Sequence, residues 1–305
     1  MERYNSLSEH LKNRFSGKTY KLSLESGCSC PNRDGTLGYG GCIFCHGGSG
    51  DYAQGVVKSV TEQIEAAKAQ VAGKYKGHQY IAYFQSYTNT YGDVKRLEAL
   101  YTEAARHPEI VQLDIATRPD CLEEDMLFML ERLQRIKPVC VELGLQTIHE
   151  PTATYIRRGY SLSVYDEAIK QLKQRGIEVV VHMILGLPGE SREDMAATAR
   201  YISDSGADGI KLQLLHILKG TDLAAEYYKG YIDVFTMDEY IDTLLDCMRV
   251  VDPKVVIHRM TGDGPKSLLI APLWSGDKKR VMNRIRQRME ETDFRQGVHM
   301  RKGDL

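Results

Sequence analysis

Six apolar runs with strand character recur along the first two-thirds of the chain. A segment with helical periodicity follows each of the earlier ones, and this alternation limits the fold more than any other feature. The runs are KLSLES (21–26), YIAYFQ (80–85), VQLDIAT (111–117), VCVELGLQ (139–146), IEVVVHMILG (177–186) and GIKLQLLHI (209–217). Recognisable helix starts lie between them. Ser59 precedes VTEQIEAAKAQV, and Gly92-Asp93 precedes VKRLEALYTEAARH. Ser163 with Asp166 reads as a capping box ahead of EAIKQLKQRG, which ends on Gly176 as a C-cap would. Ser191 with Asp194 repeats the signature at the next helix. Strands alternating with helices of this length predict parallel βαβ units. Six in a row predict an α/β fold built as a partial (β/α)6 TIM-like barrel. A flat doubly wound sheet is the alternative, and periodicity does not separate the two. Both place an active site at the carboxyl ends of the strands.

After about residue 218 the pattern changes. A helix (roughly 236–251) leads to a short strand, VVIHRM, then to the loop TGDGPK and a basic helical segment, DKKRVMNRIRQRMEE. The expected organisation is an N-terminal segment (1–19), a barrel (20–217) and a C-terminal extension (218–305) packed on it. A chain of 305 residues accommodates one large α/β domain with such an extension. The net charge of -1 excludes a global electrostatic pull toward nucleic acid or membrane, but not a local basic patch. No apolar run reaches the length of a membrane span, so no membrane partner is expected. The first residues, MERYNSLSEHLKNRF, lack the apolar core of a signal peptide, so the expected compartment is the cytoplasm, where thiols stay reduced.

Four of the seven cysteines crowd into CSCPNRDGTLGYGGCIFCHGG, residues 28–48, directly after the first expected strand. An odd total with such crowding points to metal or cluster binding rather than to disulfides. Cys42 and Cys45 form a CxxC pair flanked by Gly40-Gly41 and Gly47-Gly48, and Cys30 lies twelve positions earlier in a turn-rich loop. A CxxC turn brings two thiolates to one centre, and the glycines let the backbone approach closely. Three thiolates on a four-iron cluster leave one iron open for chemistry. The rival is a closed, four-cysteine zinc site formed by Cys28, Cys30, Cys42 and Cys45. The spacing favours iron–sulfur and leaves zinc open. Cys121, Cys140 and Cys247 lie in helix or strand patterns and read as buried, inert residues.

CPNRDGT…GGCIFC followed by repeated βα units resembles the radical S-adenosylmethionine (radical SAM) enzymes, whose usual cysteine pattern is CxxxCxxC. The longer first gap here is shared by the branch that includes the Elongator catalytic subunit, and Phe44 before the last cysteine also fits. IATRPD (115–120), VELGLQT (141–147), YIRRGY (155–160) and HMILGLPGES (182–191) resemble successive segments of those enzymes and of oxygen-independent coproporphyrinogen oxidase. Together they cover roughly residues 20–220. GxxCPNRDG and APLWSGDK resemble a bacterial subgroup, some of whose members are associated with converting 5-carboxymethylaminomethyluridine to 5-aminomethyluridine at the tRNA wobble position.

The resemblance implies one [4Fe–4S] cluster on Cys30, Cys42 and Cys45, with Cys28 a bystander. It implies S-adenosylmethionine as cofactor, cleaved to a 5′-deoxyadenosyl radical. Gln146 matches a ribose contact, and Arg158 matches a fork for the methionyl carboxylate. His182 falls where relatives carry an acidic ribose contact. The Gly-Gly-Glu motif of many relatives is replaced by FQSYTNTY (84–91), in which Gln85, Ser86, Thr88 and Asn89 stand for the amino-group contact. Thr117, Arg118 and Glu142 lie at strand ends facing the presumed pocket. Leu185-Gly186-Leu187-Pro188-Gly189 makes a strand-to-helix turn suited to packing against adenine.

Lys211 and Gln213 share a strand face and are expected to point toward substrate. His258, Arg259, Asp263, Lys266 and Trp274 are the distinctive residues of the C-terminal section. Residues 277–305 hold nine Lys/Arg against five Asp/Glu, and positions 278, 279, 280, 284, 286 and 288 form a candidate phosphate-contacting set. Implied partners are tRNA as substrate, a reductant such as flavodoxin or ferredoxin, and a downstream tRNA methyltransferase. The competing readings are a radical SAM enzyme on a small metabolite or protein, a zinc-stabilised nucleic-acid-binding module, and an iron–sulfur sensor.

Overall fold

The computed structural model describes residues 3–47, 59–262 and 264–300; Gly48 and Asp263 lie outside the described residues. In chain order the elements are α1 (Leu7–Phe15), β1 (Tyr20–Leu24), α2 (Val60–Val71), β2 (Tyr80–Phe84), α3 (Val94–Arg106), β3 (Ile110–Thr117), α4 (Glu124–Gln134) and β4 (Val139–Gln146). Then follow α5 (Glu150–Tyr155), α6 (Leu162–Gln174), β5 (Glu178–Leu185), α7 (Arg192–Asp204), β6 (Gly209–Leu214), β7 (Ile217–Leu218) and α8 (Asp222–Tyr228). The last are α9 (Met237–Arg249), β8 (Val256–Arg259), β9 (Leu269–Ala271) and α10 (Lys278–Glu291).

The main sheet has seven strands in the order β1-β2-β3-β4-β5-β6-β8, every adjacent pair parallel. It curves as a half-barrel with helices on its convex side. The inner strands β2–β6 are largely buried on both faces, yet their residues still divide by period two. Leu22 and Leu24, Leu113 and Leu143, and Val181 and Leu212 point outward into one large hydrophobic cluster shared with the helices. The residues between them point into the half-barrel, and many of those are polar.

The helix caps follow the sequence with one exception. Ser59 and Ser191 form capping boxes with Glu62 and Asp194, and the Asp93 side chain caps α3. α6 begins two residues earlier than Ser163 and Asp166 suggested. Its N-cap is Ser161, and Leu162 N donates to Glu150 Oε1 at 2.7 Å. A carboxylate from the preceding helix satisfies the end, so the local signature is not used.

The extension is also more integrated than a packed appendage. The run VVIHRM supplies β8, which pairs parallel to β6 and becomes the seventh strand of the sheet. It is a further βα repeat, with α9 as the crossover, obscured in the sequence by the intervening β7 and α8. GIKLQLLHI divides, its first part forming β6 and its end joining β9 through β7. Leu143, fully buried in β4, supports this core. Leu143→Ala is expected to lower unfolding free energy by about 2–5 kcal/mol in urea titration, through lost burial and the cavity left behind.

Candidate active site

A cavity of about 800 Å³ opens at the carboxyl ends of the strands, and Cys30, Cys42 and Cys45 line it. Their loop is shaped by hydrogen bonds within residues 30–45. Arg33 N donates to Cys30 O at 2.8 Å, Gly41 N to Asn32 O at 2.7 Å and Cys45 N to Cys42 O at 2.9 Å. Gly41 has φ 75°, the left-handed region that favours glycine, and the Arg33 guanidinium packs over it. Ile43, between the paired cysteines, is buried in a second apolar cluster with Ile156, Ile184, Leu187, Leu215 and Ile217. That anchor holds the CxxC turn against the barrel. Asn32 Nδ2 bonds Arg157 O at 2.7 Å and reaches Cys42 Sγ at 3.5 Å. Burial and the neighbouring Cys45 push the Cys42 thiol up to about 11.

This donor set suits a large cluster better than a single zinc ion. Four sulfurs around zinc at about 2.3 Å stand only about 3.8 Å apart. The sulfurs of Cys30, Cys42 and Cys45 are not all within 4.8 Å of one another. Cys28 is set apart from them, buried in the main core with its sulfur 3.4 Å from Arg96 Nη2. Among the described residues, the trio that does cluster that closely is Glu65, His107 and Glu109, beside the amino ends of the strands. Lys68 pairs with both of those carboxylates.

Gln146 is the residue most shaped for a ligand. It lines the cavity at a register shift in β4, has φ 72°, and its Oε1 is buried without a hydrogen-bond partner. Non-glycine backbone in that region is strained, and such strain collects at binding sites. Gln85 lines the same wall and donates to Ser23 Oγ at 2.9 Å. Asn89 is fully buried as a structural tie. Its Nδ2 bonds Ala116 O at 2.8 Å and Phe84 O at 3.1 Å, and its Oδ1 accepts from Ser26 Oγ. Thr88 lines the cavity, whereas Ser86 Oγ faces Glu25.

Arg158 departs from an open fork. Its Nη1 donates to Thr147 O at 2.7 Å, its Nε to Tyr160 O at 2.9 Å, and its Nη2 meets Glu150 Oε1 at 3.1 Å. The guanidinium thus braces the segment after β4, and its ring neighbour Tyr160 bonds Gly144 O. Arg118 lines the cavity with both ends of its fork on Asp120.

The floor is a layer of ionisable side chains drawn from successive strands. Lys21 Nζ lies 2.5 Å from Asp114 and 3.1 Å from Glu142. Lys211 Nζ pairs with Glu142 and donates to the Tyr83 hydroxyl at 3.0 Å. His182 Nε2 lies 2.8 Å from Glu142, and its Nδ1 lies 3.1 Å from Gln213 Nε2. A neutral ring donating from Nε2 and accepting at Nδ1 satisfies both contacts. Burial, with Lys211 nearby, pushes this imidazole down to about 4 against the pull of Glu142. Burial alone would raise the Glu142 carboxyl, but Lys211, Lys21 and His182 outweigh it and hold it well below its usual range. His182 therefore belongs to the floor. His258 and Arg259 line it from β8.

Lys266 is exposed and away from the cavity. Trp274 is half-buried against the main core, where it packs on Tyr240 and its Nε1 donates to Phe235 O at 2.9 Å. In α10, Arg284 and Arg288 are tied to Asp238 and Asp242 on α9. Lys278, Lys279, Arg280 and Arg286 remain exposed, and Lys278 borders the cavity. Lys21, Tyr83, Asp114, Arg33 and Tyr160 escaped sequence reasoning. A signal existed for the first three, since each stands as an ionisable residue within an otherwise apolar strand.

A radical SAM superfamily model matches residues 30–202, and a radical SAM C-terminal domain model matches residues 207–291. The chain belongs to the radical SAM superfamily, and its members supply the expectation of a [4Fe–4S] cluster and S-adenosylmethionine. It is 40% identical to the Bacillus subtilis (strain 168) protein YtqA over 97% of this chain and 92% of that one. It is 29% identical to a tRNA uridine(34) acetyltransferase of Dehalococcoides mccartyi over 62% of this chain, spanning 40% of that protein. The solved structure of archaeal Methanocaldococcus infernus Elp3 shares the fold at TM-score 0.70 and 18% identity, covering 91% of this chain and 64% of that one.

Two outcomes are expected. Cys30→Ala, Cys42→Ala and Cys45→Ala each cut iron content after anaerobic reconstitution to less than half of about four per chain, whereas Cys28→Ala retains it. Loss of iron in Cys28→Ala, or zinc alone in the wild type, would favour the four-cysteine site. Glu142→Gln strands Lys211, leaves Lys21 with Asp114 alone, and is expected to cost about 3–5 kcal/mol in chemical denaturation. Because the carboxyl is held below its unfolded value near 4.3, that stabilisation is complete above about pH 4.3 and is lost as pH falls toward the folded value.

Proposed function

We propose that this enzyme modifies the wobble uridine of tRNA, converting a carboxymethylaminomethyl side chain to aminomethyl. The observation that carries the reading is the cavity wall. It joins three cysteines, an unsatisfied Gln146 and a charged floor, with Lys278 of α10 at its rim. The relative named as a tRNA uridine(34) acetyltransferase supports the substrate class.

Cys30, Cys42 and Cys45 would hold the cluster, and Gln146 with Gln85 would hold S-adenosylmethionine beside it. When bound, these groups would supply a carbon-centred radical able to take a hydrogen atom from the carbon beside the side-chain nitrogen, the step that starts loss of the carboxymethyl group. The protein positions the substrate carbon and keeps water away. The Ile43 anchor fixes the cysteine loop, the Arg158 brace shapes the wall after β4, and the Lys211–Glu142 layer closes the bottom. Arg118 and Arg33 place positive charge near the thiolates. The exposed cations of α10 would meet phosphates at the mouth. The extruded base would enter the cavity with its side chain leading.

Anaerobic incubation of reconstituted protein with S-adenosylmethionine, a reductant and tRNA from a strain lacking this gene tests the proposal. 5′-Deoxyadenosine is expected to rise together with conversion of the uridine side chain in the same mass-spectrometric run. Cofactor cleavage that ignores tRNA would point to a small metabolite or protein substrate.

A further inference from the structure

Four tyrosines are among the described residues that line the cavity, and three of them are already packed into its wall. Tyr20 packs against Tyr75 with ring centroids 5.7 Å apart. Tyr83 is buried with two ammonium groups over its ring, Lys21 at 4.9 Å and Lys211 at 4.6 Å from the centroid. Tyr160 carries the guanidinium carbons of Arg118 at 5.2 Å and Arg158 at 4.7 Å, and its hydroxyl bonds Gly144 O. Tyr87 differs. It is 43% exposed at the cavity, with the guanidinium carbon of Arg33 5.9 Å from its ring centroid.

The backbone of Tyr87 is held where a tyrosine rarely sits. Its φ is 59°, in the left-handed region that favours glycine. Five non-glycine residues among those described have positive φ, and two of them, Tyr87 and Gln146, line the cavity. Hydrogen bonds on both sides of Tyr87 keep it there. Gln85 Nε2 donates to Ser23 Oγ at 2.9 Å, Thr88 N to Ser29 O at 3.1 Å and Asn89 N to Ala116 O at 3.1 Å. Arg33 is fixed as well. Its Nη2 donates to Cys45 O at 2.6 Å, and its guanidinium rests against the loop backbone at Gly41. Backbone strain persists where surrounding structure imposes it, and it collects at ligand sites. The result is a tyrosine ring backed by a cation and presented at the cavity beside the cysteine turn.

We infer that Tyr87, backed by Arg33, is a stacking shelf for the nucleobase of the substrate. A tyrosine face takes the flat side of an unstacked base, and a base turned out of an RNA loop exposes that side. The adenine of the cofactor is expected at the turn after β5. That turn is three strands from β2, which at about 4.8 Å per strand is about 14 Å along the sheet. Tyr87, just after β2, is thereby left to the substrate. Stacking tolerates every base, so the shelf holds the ring while other groups select it. The identity of the base as the wobble uridine rests on the proposed function, whereas the shelf rests on the geometry of Tyr87 and Arg33.

The test is a double-substitution cycle on reconstituted holoprotein with S-adenosylmethionine bound. The probes are two synthetic anticodon stem–loop RNAs, one with uridine at the wobble position and one abasic there, with affinities read by the anisotropy of an end label. The wild type is expected to bind the uridine RNA at least about fivefold more tightly, the lower end of what one aromatic–base stack supplies. Tyr87→Phe is expected to keep that preference, and Tyr87→Leu to bring the two RNAs within about twofold of each other. Tyr87→Gly is expected to lose the preference while raising the urea midpoint of unfolding, because glycine is unstrained at this φ. Wild-type affinities that ignore the base overturn the inference, as does a preference that survives in Tyr87→Leu. A fall in S-adenosylmethionine affinity in Tyr87→Leu, with the uridine preference intact, would assign the ring to the cofactor and also overturn it. Assays of tRNA conversion separate the two readings. Conversion by the wild type, with a preference that survives in Tyr87→Leu, keeps the proposed function and removes the shelf. A preference lost in Tyr87→Leu, without conversion of any tRNA by the wild type, keeps the shelf and removes the uridine chemistry.

Discussion

Glu142 lies at the bottom of the half-barrel with hydrogen-bond donors from three other strands around it: Lys21 from β1, His182 from β5 and Lys211 from β6. Most barrels fill this space with branched apolar residues. Here it is filled with charge, and burial makes every one of those groups depend on the others. Removing the carboxylate leaves the Lys211 ammonium without its counter-ion and Lys21 with Asp114 alone, while removing either lysine leaves the carboxylate with one counter-ion fewer. The layer therefore ties strands that are far apart in sequence to one geometry, and it does so where a ligand would rest.

Two further constraints position the rest of the site. Ile43 buries itself in the smaller apolar cluster, so the CxxC turn is held by packing rather than by the cysteines themselves. Asn89 joins the ends of β2 and β3 to Ser26 after β1, which keeps the loops at the carboxyl ends in one arrangement. Against this rigid frame Gln146 keeps a strained backbone and an unsatisfied oxygen. Strain of that kind persists only where surrounding structure over-determines it.

Much of the fold was legible in the sequence. The six strand runs, the caps at Ser59, Asp93 and Ser191, and the placement of the cysteine loop after β1 all appear in the structure. Strand alternation and capping chemistry are local, so a linear reading captures them. The seventh strand was visible only as a short run, because residues 215–255, with their own elements, intervene between β6 and β8. Individual site residues were harder. Arg158, Trp274, Arg284 and Arg288 all looked available for ligands, but each has its side chain engaged by partners distant in sequence.

The sequence by itself determined that the chain alternates strand and helix, crowds four cysteines after its first strand, and matches the radical SAM pattern in ordered segments. These rest on period, spacing and short-range hydrogen bonding. Only the tertiary structure decided which ionisable residues meet. Register between strands places Lys211 beside Arg259, and curvature of the sheet brings Lys21 across to Glu142. Packing turns Cys28 into the core and its three neighbours toward the cavity. Electrostatic contact falls off over a few ångströms, and proximity between residues more than one hundred positions apart is a property of the fold alone.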